Sequence, residues 1–455
     1  MDTFISEKKV KSNTLNDMTI GSPFKIILAF SVPMLISSLF QQLYNVVDSI
    51  IAGKFIGVDA LAAVGASYPI TALFIAVAIG SSIGCSVVVS QIFGAKKYAS
   101  MKTAISTAII SLTTISIILT VVGLFFCNPL MQLLNTPANI FKDAELYLRI
   151  YIGGIIFLFL YNTATAIFTG LGDSKTPLYF LIFSSIFNII LDLLFVITFN
   201  MGVMGVAVAT FIAQGISSIL AMGCLINRLR KIKTEGTYEY FNLNIFKRMS
   251  RIAIPSILQQ SFVSVGQICV QGLINTYGSD VVAGYSSAFK IHSIALACMN
   301  TMSSALSSFT AQNIGAKKID RVKQGQKAAM VMTMIICSLI LVLFLVFTKG
   351  LINLFVDSNN SGLVITVGSQ FLKTVAPFYL IVGAKIVCDG VLRGAGAMKE
   401  FMLGTFTDLI LRVILSYVLA YLIGYPGIWI SYPLGWIVGT ASSIYFYYKG
   451  TWIRN

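Results

Sequence analysis

Gly94-Ala95-Lys96-Lys97 recurs as Gly315-Ala316-Lys317-Lys318, and each copy follows a long apolar run. Outward from these two tetrads the chain aligns with itself at a shift of about 221–224 residues. Phe24 and Pro33 match Phe246 and Pro255, and Gly57-Val58-Asp59 matches Gly278-Ser279-Asp280. Gly170-Leu171-Gly172 matches Gly394-Ala395-Gly396, and Gly205-Val206 matches Gly427-Ile428. Matches in one order at nearly one offset define an internal repeat.

Composition says where the repeat resides. The chain has 455 residues, 56% of them hydrophobic and only 11% charged, whereas a soluble domain carries about 25% charge. Apolar runs of roughly 20 residues, long enough to cross a bilayer as helix, recur throughout. Twelve spans are expected, near 24–52, 60–90, 103–126, 145–169, 178–199, 204–226, 250–274, 283–310, 327–348, 363–392, 401–423 and 427–448. The expected class is therefore an all-α polytopic membrane protein of twelve transmembrane helices in two six-helix lobes. Residues 1–23 form a tail, 24–226 the first lobe, 227–249 a linker, 250–448 the second lobe and 449–455 a second tail. Six spans per copy is an even number, so both copies enter from the same side as a parallel repeat about an axis along the membrane normal. Substrate is expected between lobes that rock against each other.

The net charge of +15 follows from topology. Lys8, Lys9 and Lys11, the pairs Lys96-Lys97 and Lys317-Lys318, and the cluster Arg228, Arg230, Lys231, Lys233, Lys247, Arg248 and Arg251 fall on one side. Little beyond Lys54, Lys142, Arg149 and Lys349 falls on the other. By the positive-inside rule both termini are cytoplasmic, in the cell membrane, and no nucleic-acid partner is implied. The seven cysteines contain no CxxC pair and read as small apolar residues. A phosphate loop of the GxxxxGK[ST] type is absent, one histidine leaves little room for enzyme chemistry, and no His/Cys/carboxylate set suits a catalytic metal. An enzyme is excluded and no cofactor is expected.

Polar residues within spans mark the candidate site, because each costs about 2.5–3.5 kcal/mol at a helix centre when charged. Gln41, Tyr44, Asn45 and Asp48 share one stripe of the first span, and Asn188 and Asp192, four apart, share one face of the fifth. Asp48, Asp192 and Thr210 in the sixth span lie at similar depth in the outer part of the membrane. Such a group suits a proton, or a sodium ion at Asp48 and Asp192, as coupling ion, with Gln41, Tyr44 and Asn45 towards substrate. The second lobe does not copy it: Val270 stands opposite Asp48, Arg412 opposite Asn188 and Ser416 opposite Asp192. Its own buried polar residues include Gln259, Gln260, Gln267, Lys290, His292, Lys385, Asp389, Asp408 and Arg412. Asp389–Arg393 and Asp408–Arg412, each four apart, suit structural ion pairs, and His292 reads as a packed residue.

In these runs the chain resembles the multidrug and toxic-compound extrusion (MATE) family. The carriers are Pro33 followed by Gln41-Gln42-Leu43-Tyr44-Asn45-Val46-Val47-Asp48, the Gly94-Ala95-Lys96-Lys97 loop with its repeat, Gly170-Leu171-Gly172-Asp173-Ser174-Lys175-Thr176-Pro177, and Asn188-Ile189-Ile190-Leu191-Asp192. The resemblance covers the chain from about Gly21. It implies a V-shaped antiporter exchanging protons or sodium for cationic or amphipathic drugs, in the branch whose cation site, here Asp48, Asn188 and Asp192, lies in the N-terminal lobe. No acid occurs between Arg251 and Gly278, so the branch with a seventh-span glutamate is not matched. A flippase for lipid-linked precursors and a narrow metabolite exporter are the alternatives within transport. A monomer in contact with membrane lipid is expected.

Overall fold

The computed structural model describes residues 16–51, 55–56, 58–134, 136–232, 234, 236–353 and 362–453. Among them every regular element is helical. The first lobe comprises α1 (Pro23–Ile51), α2 (Val58–Gly94), α3 (Tyr98–Leu133), α4 (Phe141–Gly153), α5 (Ile155–Gly170), α6 (Lys175–Leu193) and α7 (Gly202–Lys231). The second comprises α8 (Leu243–Asn275), α9 (Ser279–Gly315), α10 (Ile319–Val346), the short α11 (Thr348–Asn353), α12 (Gly362–Val375), α13 (Tyr379–Ala395), α14 (Met398–Ile423) and α15 (Tyr425–Lys449). Helices prevail because hydrocarbon offers no partner for an unpaired peptide group. The outer surface is apolar: Val121 and Leu339 are 64% and 67% exposed, a surface fit for lipid and not for water.

Among the described residues ten helices are long and apolar enough to cross a membrane, and α4 with α5, bent by 46°, make an eleventh if the pair is one span. The bend falls at Gly153-Gly154 within the expected fourth span. The expected twelfth span corresponds to α15, 25 residues long. Its glycines, serines and tyrosines lower its apolar content, and much of it is buried against α13 and α14 rather than against lipid. The helices also overrun the expected ends, α7 reaching Lys231 and α8 beginning at Leu243. Asn242 caps α8, its side chain accepting the Asn244 and Ile245 N–H groups.

The repeat is visible in the backbone. Lys96 and Lys317 both adopt left-handed φ, 58° and 59°, and Gly172 and Gly396 do so at 81° and 82°. Each lysine follows a helix end closed by matching bonds: Ala95 N–H to Gln91 O and Lys97 N–H to Ile92 O, against Ala316 N–H to Gln312 O and Lys318 N–H to Asn313 O.

The two copies meet face to face at the basic end. A Cβ on Gly94 would stand 1.9 Å from Gln312 O, and a Cβ on Gly315 would stand 1.9 Å from Gln91 O, so only glycine lets these backbones touch. Gln91 Nε2 donates to Gly394 O at 3.1 Å and Gln312 Nε2 to Gly170 O at 3.0 Å. Both contacts are exchanged by the repeat, which puts the pseudo-two-fold axis through this seam. The segment 16–21 straps the seam from the first lobe to the second. Asn16 Nδ2 donates to Gly172 O, Met18 N–H to Gln312 Oε1, Lys318 Nζ to Thr19 O and Arg321 Nη1 to Gly21 O.

Away from the seam the lobes diverge. The first part of α8 packs on α2, where a Cβ on Gly84 would meet Met249 O and one on Gly80 would meet Ile257 N. Its second part returns to its own lobe, with Phe262 against Phe406 and Tyr417 Oη donating to Cys269 O. In the same manner α1 packs on α9 and α10 but reaches α6 of its own lobe through Tyr44. The result is a cleft closed at the basic end.

Beside the seam, Asp173 ties α5, α6 and α7 together. Its carboxylate accepts Lys175 N–H at 3.0 Å, Thr176 N–H at 3.1 Å and Thr176 Oγ1 at 2.6 Å, and pairs with Arg228. Burial alone would raise its pKa, but the bonds from Thr176 and Arg228 outweigh burial and hold it below the usual aspartate value. A depressed folded value means stabilisation that is complete above the ordinary aspartate range and is lost as pH falls through the folded value. Asp173→Asn should therefore lower the melting temperature at neutral pH, and the difference from wild type should shrink on acidification; a difference independent of pH would rule this out. Gly94→Val should force the seam apart. Hydrogen–deuterium exchange should quicken by roughly tenfold or more in the last turns of both α2 and α9, since opening free energies set exchange; unaltered exchange would mean that the backbones do not meet there.

Candidate functional site

Within the first lobe lies a cavity of about 460 Å³. All its helices except α3 contribute to the wall: Gln41 and Tyr44 from α1, Ile75 and Ile79 from α2, Tyr147 and Tyr151 from α4, Tyr161 and Asn162 from α5, Ser184, Ser185 and Asn188 from α6, and Thr210 and Gln214 from α7. Four of the residues expected from sequence thus line one cavity: Gln41, Tyr44, Asn188 and Thr210. Helical spacing puts Gln41 and Tyr44 on one stripe, and α6 carries Ser184, Ser185 and Asn188 on the face towards it. Tyr44 Oη donates to Asn188 Oδ1. Asn188 Nδ2 is buried and has no partner among the described residues, an orphaned donor of the kind that ligands satisfy. Asp192, one turn beyond Asn188, is 0% exposed. Asn45 and Asp48, expected on the α1 stripe, lie outside the described side chains.

None of the described cavity-lining side chains is charged. Instead the wall presents four tyrosine rings, with Tyr147 and Tyr151 stacked at 6.3 Å and 21°. Such rings attract cations by their faces and pack planar apolar bodies, and amide and hydroxyl groups around them supply orientation. Tyr147, Tyr151, Tyr161, Ser184, Ser185 and Gln214 were not singled out from sequence. The four-residue spacing of Tyr147 and Tyr151 was the available signal, diluted by aromatics at 12% of the chain.

The second lobe fills the equivalent space. His292 Nδ1 lies 2.7 Å from Tyr379 Oη and is boxed by Phe371, Tyr432 and Trp436, the packed histidine expected. Tyr285 stacks on Trp429 at 5.3 Å and 4°. Arg412 pairs with Asp408 at 3.2 Å, as its spacing suggested, and lies 5.1 Å over the Tyr432 ring. By the repeat, Tyr432 stands where Thr210 does in the first lobe and Arg412 where Asn188 does, so a fixed guanidinium occupies the second copy. The other expected pair is corrected. Asp389 bonds Lys385 at 2.7 Å and Ser443 Oγ at 2.6 Å, and those two partners leave Arg393 directed to serines of α9. Among the described residues no three His, Cys, Asp or Glu side chains gather as a metal site.

Two bundles joined at a seam, with a polar cavity inside one and a cleft between them, define a membrane transporter rather than an enzyme. The MatE family model matches residues 33–194 and again 255–418, once per lobe, and the chain belongs to that family. It is 30% identical to "Probable multidrug resistance protein YpnP" of Bacillus subtilis, over 96% of this chain and 97% of that one. It is 28% identical to "Probable multidrug resistance protein YoeA" of the same organism, over 100% and 97%. Its fold matches "Crystal structure of MATE in complex with MaL6" at a TM-score of 0.89 and 23% identity, covering 95% of this chain and 97% of that one.

Tyr44→Phe should leave Asn188 without its donor inside the lobe. The expected cost is about 1–3 kcal/mol, read as a lower melting temperature in detergent. Asn188→Leu in the same background should add little, because the orphaned amide is then removed; full additivity of the two changes would show that the residues do not interact.

Proposed function

We propose that this chain is a cation-coupled antiporter that exports organic cations and amphipathic drugs by alternating access, with protons as the coupling ion and sodium as the alternative. The carrying observation is the cavity in which Gln41, Tyr44, Asn188 and Thr210 converge, with Asp192 buried one turn above Asn188. A carboxylate there is costly when charged, so an opposing cation stabilises it and a proton neutralises it. Asp48, on the same stripe as Tyr44, is the second acid of this reading. Tyrosine faces suit a planar cation, and a cation that enters beside the acids competes with the coupling ion, which is the essence of exchange. The names of the relatives from Bacillus subtilis support multidrug substrates.

In this reading the basic face is cytoplasmic in the cell membrane, so the structure with its seam closed is the outward-facing state. Opening the seam and closing the far end would present the cavity to the cytoplasm. Cavity and cleft are built from one chain, so a monomer surrounded by lipid suffices.

The test is ethidium efflux from energised cells at matched membrane levels. Wild type should clear the dye, while Asp48→Asn and Asp192→Asn should fall to the vector-only background. Nigericin should abolish efflux if protons couple it, and removal of sodium should do so if sodium does. Equal efflux by wild type and both variants would remove the acids from the mechanism.

A further inference from the structure

A second cavity, of about 170 Å³, sits between the lobes on the floor of the cleft, next to the seam. Residues of α1, α2, α5, α9 and α13 line it. Its wall is rich in hydroxyls, including Ser82 and Ser86 of α2 and Ser304, Ser307 and Ser308 of α9, and among the described residues its single charged lining residue is Arg393. The serines follow the repeat: Ser86 stands to Ser307 as Gly94 stands to Gly315. Arg393 has no such counterpart, since Thr169 occupies the matching place in the first lobe.

The charge of Arg393 is compensated only at a distance, by the Asp389 carboxylate one turn away. Lys385 is matched by Asp389 and Arg412 by Asp408. Among the described residues no carboxylate lies within ion-pair distance of Arg393, whose nearest acceptors are two neutral hydroxyls, Ser304 Oγ at 3.3 Å and Ser303 Oγ at 3.5 Å. A half-buried guanidinium held by long bonds to serines is short of acceptors, because it carries five donors and no acceptor. Ser82, in the same wall, has a buried Oγ with no partner among the described residues. A guanidinium with spare donors in a wall of serine hydroxyls is the donor set that an anionic oxygen group satisfies.

We infer that this floor cavity binds the anionic group, a carboxylate or phosphate, of a zwitterionic amphipathic substrate. At about 170 Å³ against about 460 Å³, the floor cavity suits one such group and the tyrosine-walled cavity suits a drug's ring system. The ring system has somewhere to go. Ile79 and Asn162 line both this cavity and the tyrosine-walled one, so the two are adjacent. A substrate whose planar body lies among the tyrosines can extend its anion to Arg393. The inference rests on the antiporter reading in taking the cleft as the transport path, and it narrows the substrate class from organic cations to molecules that carry both charges.

The test uses full-length protein in phosphatidylcholine nanodiscs and two dyes, tetramethylrhodamine with its free carboxylate and its methyl ester. Anisotropy titrations give the affinity ratio of acid to ester. Wild type should favour the acid, and the ratio should fall by about tenfold or more in Arg393→Gln, as expected for loss of a charge-assisted bond, while Arg393→Lys retains part of it. Ser304→Asp, which puts a carboxylate beside the guanidinium, should erase the preference without removing the arginine. A ratio that does not change in Arg393→Gln and Ser304→Asp, or a wild type that shows no preference for the acid, overturns the inference. Phosphatidylglycerol added to the discs must not compete. If it erases the preference, the site takes a lipid headgroup and the substrate assignment fails. Ester efflux without an Arg393-dependent ratio would sink this inference and leave the antiporter standing; an Arg393-dependent ratio without ester efflux would do the reverse.

Discussion

Backbone touching backbone at Gly94 and Gly315 governs the rest of the molecule. No side chain fits between either glycine and the facing glutamine carbonyl, so the lobes join through peptide groups and two glutamines. An apolar cluster surrounds that contact and crosses between the lobes, from Ile92 and Phe93 of α2 to Met302, Phe309 and Val391 of α9 and α13. The strap 16–21 and the Asp173 hub add hydrogen bonds of the same polar kind beside the junction. Closure at one end and divergence at the other therefore follow from where the glycines sit.

From that junction the division of labour between lobes can be traced. One lobe encloses polar space, with an orphaned amide and a buried acid. The other fills the equivalent space with tryptophan, tyrosine, histidine and two internal ion pairs. Buried pairs of this sort add little net stability, but they bring their own cations and leave no vacancy for a mobile one. The repeat accounts for the common frame, and the two copies fill it differently.

Much of the frame was legible in residue order. The repeat, the parallel relation of its copies and the helical class could be read from Gly94-Ala95-Lys96-Lys97 and its partner together with the apolar runs. The left-handed lysines at 96 and 317 express that repeat at the level of φ. The tyrosine wall was not legible, because Tyr147, Tyr151 and Tyr161 become neighbours of Asn188 only through the packing of α4 and α5 against α6 and α7. Nor did spacing choose between Lys385 and Arg393 as the partner of Asp389: both are four residues away, and the choice was made by Ser443 of α15 and the serines of α9. The bend at Gly153-Gly154 stood in plain sight as a glycine pair, but inside a run that reads as one span despite Glu145 and Arg149.

The exchange of first helices between lobes also bears on how the protein is made. The start of α1 is secured by Arg321, which bonds the Gly21 carbonyl from 300 residues further along the chain. A ribosome delivering helices in order must therefore leave the opening helix half-anchored until α10 has been inserted. During that interval its polar strap has only the first lobe to hold it. Expressed alone, the first lobe would carry an unfinished edge, and so the two halves of the duplicated chain are no longer independent folding units.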